Sequence, residues 1–534
     1  AYAITLERLE PLAEDPKELA DQLLSAWDRE DGPGAAVRVW RDGEELYTRA
    51  VGMANLAYGI PFEPDTPTNI GSTSKQFTAF AVQLLAERGE LSLDDPVVEH
   101  LPELRSFEDT VRVRHLLTHT SGYREIYNLL TMAGRRFDQG DFVDREEILA
   151  VVRDQPALQN EPGAEWNYNN TAFALAAMTV ERVSGMPFHE FMEENVFEPL
   201  GMDGTQVRPD PQAIVEGRSM GYAPDDDGGW REIRDLGGAV GAGAIYATVE
   251  DLERWVENYR EPRVGTREMI DEMTTPYVLT GGDTTQYGLG LFIDEQRGLR
   301  RVHHGGADIA HRSMLAYYPE IGAGITVQSN DAAFRADLAF RLAEAFFEDA
   351  MEPEEEAVAD EGAFDAEGYD AEAFDDFAGR YALDANPAFV LTLSREADTL
   401  YAQATGQPRL TLEPTSDSTF ALQGVEASLT VHTGEEGRAT ALTLHQGGVD
   451  QRATRIEGEA AEAWAPDREA LEELTGRYLS RELDTFYSVV LEDHEDGEEG
   501  EEARLVLRHR RVDDATLTPG ERDTFTAGPL QLSF

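Results

Sequence analysis

Asn69-Ile70-Gly71-Ser72-Thr73-Ser74-Lys75-Gln76-Phe77 is the stretch on which the reading of this chain turns. Downstream of Lys75, Phe77, Phe80, Ala81, Leu84 and Leu85 recur at i, i+3, i+4, i+7 and i+8, which predicts a helix, with Gly89 as its C-cap. Placed at the first turn of that helix, Ser72 and Lys75 share one face. The helix N-terminus then aims backbone N–H groups at an oxyanion formed on a substrate bound to Ser72. Lysine is the telling residue: the chain has only Lys17 and Lys75, against 43 arginines. A guanidinium does not give up its proton, whereas a buried lysine can be tuned to act as a base. Ser-x-x-Lys is a nucleophile-and-base arrangement. With two lysines, its chance occurrence is ~0.1 per chain if serine is ~5% of residues. The competing reading is a serine N-cap followed by a surface lysine, a common helix start.

The 534 residues exceed a single core and predict several domains. Net charge is −59, from 45 basic and 104 acidic residues. Such a surface repels nucleic acid and anionic membranes. With 41% hydrophobic and 9% aromatic residues a core still forms, so the charge does not mean disorder. Acid spread along the whole chain, with lysine depleted, is the pattern of a protein from a high-salt organism, and loosely bound surface cations are expected. No run of eighteen apolar residues exists and no signal peptide is visible, so the expectation is a soluble protein without membrane insertion. It is cytoplasmic on the chain as given, and exported if a leader was removed before Ala1. Zero cysteines exclude disulfides, thiolate metal sites and a cysteine nucleophile.

Residues 7–30 alternate apolar and charged positions at helical spacing. Ala35 to Trp40, the Asp42-Gly43 turn and Glu45 to Val51 read as a β-hairpin. Residues 111–200 are mainly helical, including Thr171 to Val183. A glycine-rich stretch, Gly237 to Ala244, precedes Thr248-Val249-Glu250-Asp251, a capping box opening another helix. Tyr287 to Ile293, Arg300 to His303, Ser313 to Tyr318 and Gly324 to Ser329 read as strands, and residues 335–348 as a closing helix. This order predicts an α+β domain, 1–347, whose antiparallel sheet is flanked by helices and pairs both ends of the chain. An acidic linker, 348–376, follows, docking partly through Phe364, Tyr369 and Phe374. Beyond it lies an internal repeat. Gly379-Arg380-Tyr381 recurs as Gly476-Arg477-Tyr478, and Leu412-Glu413-Pro414 with Thr419-Phe420 recurs as Leu517-Thr518-Pro519 with Thr524-Phe525. Each copy is a string of short alternating strands, which predicts two antiparallel β-barrel-like domains, 377–458 and a shorter 470–534.

Two further motifs bear on chemistry. Tyr168-Asn169-Asn170 precedes a predicted helix; a tyrosine beside a lysine relays a proton, and an amide orients a substrate carbonyl. Alone it reads equally as a loop aromatic packed on the core. His304-Gly305-Gly306, before Ala307, lies on a predicted strand, where glycines let a substrate backbone approach. The histidine is a donor to a carboxylate or oxyanion, or a turn histidine. In this order the three motifs resemble those of penicillin-recognising serine hydrolases of the class C β-lactamase type. Arg114 to Gly122, Gly241 to Leu252 and Val327 to Asn330 also look like family segments, and the resemblance covers roughly residues 10–350.

The resemblance implies a β-lactamase/transpeptidase-like domain that acts through an acyl-enzyme without a cofactor. Ser72 is then the nucleophile, Lys75 its base and Tyr168 the acid/base relay, with His304 in the place of the usual lysine. Asn170, Gly305 and Gly306 bind substrate, and the N–H groups of Ser72 and Ala307 form the oxyanion hole. His-x-Gly in place of Lys-Thr-Gly is more similar to the D-aminopeptidases and related D-amino-acid peptidases, some of which carry two extra β-domains. The expected substrate is a small molecule or short peptide, most of all a D-amino-acid amide or peptide. A β-lactamase-like esterase, a β-lactamase or a non-catalytic penicillin-binding-type protein are the alternatives. His303, His304, Asp308 and His311, and His115 with His119, are clusters of metal-ligating residue types, but without His-Glu-x-x-His or cysteine no metal is expected.

The charge makes one prediction directly. Like charges repel in the compact state, and at ~1 M salt the Debye length falls to about 3 Å. Thermal unfolding followed at pH ~7 from about 0.05 to 3 M KCl should show a melting temperature that rises with salt. A flat or falling melting temperature contradicts the reading of the acidic surface.

Overall fold

Asp42 and Gly43 both take left-handed backbone, with φ of 54° and 75°, the conformation a two-residue hairpin turn requires. In the computed structural model they join β1 (Ala35–Arg41) to β2 (Glu44–Val51). The structure describes residues 12–225, 227–234, 238–353, 369, 371–383, 386–397, 399–404, 409–423, 425, 427–434, 438–446, 449–456, 466–492, 503–520, 523–527 and 530–533. Four strands from far along the chain complete the sheet: β3 (Phe292–Gln296), β4 (Leu299–Ala307), β5 (Arg312–Tyr318) and β6 (Ala323–Ser329). The order is β3-β4-β5-β6-β1-β2, antiparallel throughout. β1 pairs with β6 from Ala35 opposite Ser329 to Arg41 opposite Ala323, so the sheet joins early and late sequence, as the order of elements predicts.

The helices that matter here are α1 (Pro16–Leu24), α2 (Lys75–Glu87), α3 (Ile126–Met132), α4 (Asn170–Ser184), α5 (Val249–Arg260) and α6 (Leu338–Phe347). Alternation along the strands assigns them to faces. Ala35, Val37 and Val39 of β1, with Ile325 and Val327 of β6, pack against Leu24 of α1 and Leu342 and Phe347 of α6. Ala36, on the opposite face, meets Val249 at the start of α5. On that side α2 packs against α4, and Phe77 stacks on Trp255 of α5 at 4.2 Å between ring centroids. The five apolar residues expected on one face of α2 are all buried, and α2 ends one residue before Arg88, with Gly89 in left-handed backbone beyond it.

Three expectations are corrected by where the backbone finds partners. The helix expected over 7–30 runs only from Pro16 to Leu24 among the described residues; residues 1–11 lie outside them. Asp15 caps Lys17 N and Glu18 N, and Pro16 stands in the first turn, where its missing N–H costs nothing. The strand expected from Tyr287 begins only at Phe292, because Leu289 N and Gly290 N donate to Met273 O and Leu117 O instead of to a strand. At α5 only half of the capping box forms. Thr248 accepts from Asp251 N at 3.1 Å, but the Asp251 carboxylate turns to Gly204 N and Thr205 Oγ1, each at 2.9 Å. Gly237 lies outside the described residues.

The chain divides into two compact units, Ala1–Glu354 with Arg481–Leu483, and Glu355–Ser480 with Asp484–Phe534. In the second unit, β7 (Gly379–Leu383), β8 (Asn386–Glu396), β9 (Thr399–Ala404), β10 (Leu410–Pro414), β11 (Thr419–Leu422), β12 (Ala427–Thr433), β13 (Ala439–Gln446) and β14 (Val449–Ile456) close into an antiparallel barrel. Tyr369 and Phe374 pack on Phe420 of this barrel, at 5.9 and 5.1 Å; Phe364 lies outside the described residues. The repeat then continues as β15 (Gly476–Ser480), β16 (Thr485–Glu492), β17 (Arg504–His509), β18 (Val512–Pro519), β19 (Thr524–Ala527) and β20 (Leu530–Ser533) in one six-stranded sheet. The repeated residues fix the equivalence. Gly379 and Gly476 open β7 and β15, Pro414 and Pro519 end β10 and β18, and Phe420 and Phe525 lie in β11 and β19. Counterparts of β13 and β14 are absent among the described residues, so the second, shorter copy is an open six-stranded sheet, a barrel short of two strands. No helix of the described residues is long and apolar enough to cross a membrane.

The stack of Phe77 on Trp255 ties the helix behind the Ser-x-x-Lys motif to the core. Phe77 has no exposed surface, so Phe77→Ala should cost about 3–5 kcal/mol in chemical denaturation. A loss below ~1 kcal/mol would show that this core tolerates the cavity.

Candidate active site

Ser72 was expected inside the α-helix. It sits one turn earlier, in a 3-10 turn, Gly71–Ser74, that runs into α2 at Lys75. With three residues per turn, positions i and i+3 eclipse. Lys75 therefore stands over Ser72, and its Nζ lies 3.0 Å from Ser72 Oγ. From Gly71 to Leu85 every residue is buried except Ser72, which is partly exposed.

Strand β4 holds this turn in place by direct contact. A Cβ on Gly71 would lie 2.6 Å from Ala307 N, and one on Gly306 would lie 1.8 Å from Ile70 O. Both positions need glycine because the two backbones touch. Thr73 Oγ1 donates to His304 O at 3.0 Å and Ser313 Oγ to Ile70 O at 2.8 Å, which fixes the register of the contact. Gly306, expected to admit a substrate backbone, thus admits the chain's own.

Lys75 has no exposed surface. Its Nζ reaches Asn170 Oδ1 at 2.8 Å and Ala242 O at 2.9 Å. Burial pulls its pKa down to about 7, while the charge of Glu125 works to raise it. The neutral amine has two hydrogens and one lone pair. Two carbonyl oxygens only accept, so they take both hydrogens, and the lone pair is left facing the Ser72 hydroxyl. Tyr168 hydrogen-bonds to Ser72, and its pKa is raised, by burial first and also by Glu125, with the Ser72 bond opposing. Its ring lies 4.8 Å from Lys75 Nζ. Tyr168 is thus held as the phenol, a proton donor.

His304 is buried, and both ring nitrogens are occupied. Nδ1 is 2.6 Å from Gly305 O, which only accepts, so Nδ1 carries the proton. Nε2 then accepts from the Tyr287 hydroxyl at 3.0 Å. Burial, and next the charge of Lys75, pull the His304 pKa to about 3, so the ring is neutral. His119 packs on the Tyr168 ring at 4.3 Å, and its Nδ1 accepts from Asn169 N at 2.9 Å. Its pKa lies well below the ordinary value, from burial and the nearby Lys75 and His304. Among the described residues no three His, Asp or Glu side chains converge to hold a metal ion.

Ser72 and Asn170 open onto a cavity of about 150 Å³ whose walls include Gly71, Ala307, Tyr127, Asp308, Arg208 and the small residues Ala242, Gly243 and Ala244. The structure therefore brings Ser72, Lys75, Tyr168, Asn170 and Ala307 together. Tyr168, His304, Gly305 and Gly306 are not among the cavity-lining residues. Residues 19–346 match the Beta-lactamase family. The chain belongs to that family.

Its relatives agree with the architecture. It is 26% identical over 433 residues to penicillin-binding protein 4* of Bacillus subtilis, covering 77% of this chain and 93% of that protein. It is 29% identical over 300 residues to the D-aminopeptidase of Gluconobacter oxydans, and spans 56% of each chain. Among solved structures, a D-stereospecific amidohydrolase from Streptomyces sp. is 28% identical, with a TM-score of 0.51 over 61% of this chain and 97% of that one. An octameric penicillin-binding protein homologue from Pyrococcus abyssi shares the fold, with a TM-score of 0.57 over 82% of this chain and 99% of that one, at 24% identity.

Glu125, Tyr287 and His119 are the site residues the motifs did not single out. His119 lies inside the Arg114 to Gly122 segment, and Tyr287 heads a segment read as a strand. Glu125 is one of 104 acidic residues, and no local pattern marks it.

The Lys75 geometry predicts a pH dependence. The amine accepts a proton only when neutral, which it is above its pKa of about 7. Acylation of Ser72 by a fluorophosphonate should be slow in acid and rise to a plateau through an apparent pKa near 7. A rate constant that stays flat from about pH 5 to pH 9 contradicts a Lys75 base.

Proposed function

We propose that this member of the Beta-lactamase family is a serine hydrolase that forms an acyl-enzyme on Ser72 and takes D-amino-acid amides and short peptides as acyl donors. The observation that carries the proposal is the Lys75 amine, buried between two carbonyl acceptors with its remaining direction on Ser72 Oγ at 3.0 Å. In the first step the Lys75 lone pair takes the Ser72 proton while Oγ bonds to the acyl carbon, and the carbonyl oxygen becomes an oxyanion facing the N–H groups of Ser72 and Ala307. As the tetrahedral species collapses, the C–N bond breaks and the leaving amine takes a proton by way of Tyr168, which Lys75 replenishes. Water then attacks the ester through the same groups, returning Ser72 and releasing the acid.

His304 bears on the choice of acyl donor. A neutral histidine bonded to Tyr287 and Gly305 supplies no permanent cation for the carboxylate of a β-lactam. An amide of a D-amino acid makes no such demand. D-aminopeptidases and a D-stereospecific amidohydrolase among the relatives support the same class. Residues 1–347 form the catalytic domain in this proposal, 348–376 the linker, and the β-domains 377–458 and 470–534 are accessory.

Intact-mass analysis after exposure to a D-amino-acid amide, a small ester and a cephalosporin tests the proposal. The amide should acylate Ser72 and turn over fastest; cephalosporin turnover at a comparable rate contradicts the preference. Ser72→Ala should abolish hydrolysis with the fold intact. Lys75→Arg should be nearly as damaging, since a guanidinium does not accept the proton. Retention of more than about a tenth of wild-type kcat, a barrier change under ~1.4 kcal/mol, contradicts the proton-transfer role.

A further inference from the structure

Asn170 is held at three points. Its backbone N–H donates to Glu125 Oε2 at 2.5 Å, and its Nδ2 donates to Glu125 Oε1 at 2.9 Å. Its Oδ1 faces Lys75 Nζ at 2.8 Å. A carboxylate only accepts, so it selects the Nδ2 end of the amide and turns Oδ1 towards the lysine. The flipped amide would set oxygen against oxygen at Glu125 and an N–H against Lys75. That N–H would take the amine lone pair, the electron pair that otherwise meets the Ser72 proton.

Glu125 is itself fixed. It caps α3, accepting from Tyr127 N at 3.3 Å, and its carboxylate sits at the N-terminus of α4, whose positive end favours it. Burial of the site makes its charge felt at Lys75. The other titratable groups around the lysine are Tyr168, His119 and His304, the first held protonated and the two histidines neutral. Glu125 also acts on Tyr127 and Tyr168, and Asp308 acts on Tyr127.

We infer that Glu125 is a positioning residue for the acyl transfer: by fixing the Asn170 amide it keeps the Lys75 lone pair on Ser72. The inference rests on the reading of Ser72 and Lys75 as nucleophile and base. It also removes Asn170 Nδ2 from the groups offered to substrate, since that nitrogen is already spent on Glu125.

Glu125→Gln and Glu125→Asp in the full-length chain separate the two contributions, with kcat, KM, the pH profile and fluorophosphonate labelling as readouts. Glu125→Gln leaves one acceptor oxygen for two donors, Asn170 N–H and Nδ2, and has lost the charge. Its kcat should fall on the order of 10-fold to 100-fold with KM changed less than ~3-fold. The acid limb should move to lower pH, because the charge that helps Lys75 hold its proton is gone. Glu125→Asp keeps the charge but is one methylene too short for both bonds. Its kcat should lie between those of Glu125→Gln and wild type, with the acid limb in place. A folded Glu125→Gln with wild-type kcat, or with reduced kcat and an unmoved acid limb, overturns the inference. If Glu125→Gln does not fold, Glu125→Asp carries the test, and wild-type kcat in that variant overturns it. Failure to label Ser72 in the wild-type chain is a different result: it removes the nucleophile reading itself.

Discussion

A lysine amine with no exposed surface must be satisfied from inside the protein, and the site is arranged around that requirement. Desolvation disfavours the ammonium, which makes the neutral amine available near neutral pH. Carbonyl oxygens from Asn170 and Ala242 satisfy the N–H groups and leave Ser72 as the third neighbour. The three neighbours come from three places in the chain, so the geometry exists only when α2, α4 and the turn at Ala242 are packed together. Burial of the lysine and assembly of the site are one event.

The sheet gives the other half of the arrangement. The 3-10 turn bearing Ser72 lies against β4 so closely that side chains at Gly71 and Gly306 have no room. That contact brings the Ser72 and Ala307 segments together on the cavity wall. Because β4 is an inner strand of a sheet built from both ends of the first compact unit, its position depends on β1 pairing with β6. The site thus depends on contacts of long sequence separation, and only the Ser72–Lys75 pairing is local to the Ser-x-x-Lys turn.

Much of this is legible in the sequence because strong local signals coincide with it. The Asp42-Gly43 turn, the apolar face of α2 and the lone lysine beside Ser72 each follow from residue type and spacing. The return of late strands to the first hairpin follows from the order of elements. What is not legible depends on partners distant in sequence. Ala242 contributes a backbone carbonyl, which every residue has. Glu125 is chemically indistinguishable from its many acidic neighbours until α3 and α4 bring it to Asn170. Tyr287 sits where Leu289 and Gly290 are drawn into bonds with Met273 and Leu117, so a stretch with strand composition becomes a loop. Gly306 signalled close approach correctly; only tertiary structure reveals that the approaching backbone is Ile70.

The scarcity of lysine makes Lys75 directly observable. Selective isotopic labelling of lysine gives two side-chain signals, one from exposed Lys17 and one from buried Lys75. Lys75→Arg assigns them by removing one. A pH titration of the Lys75 signal by NMR is the most direct test of the account. A midpoint near 7 is predicted; a midpoint in the ordinary lysine range, about 10.4, would contradict the neutral amine on which the mechanism rests.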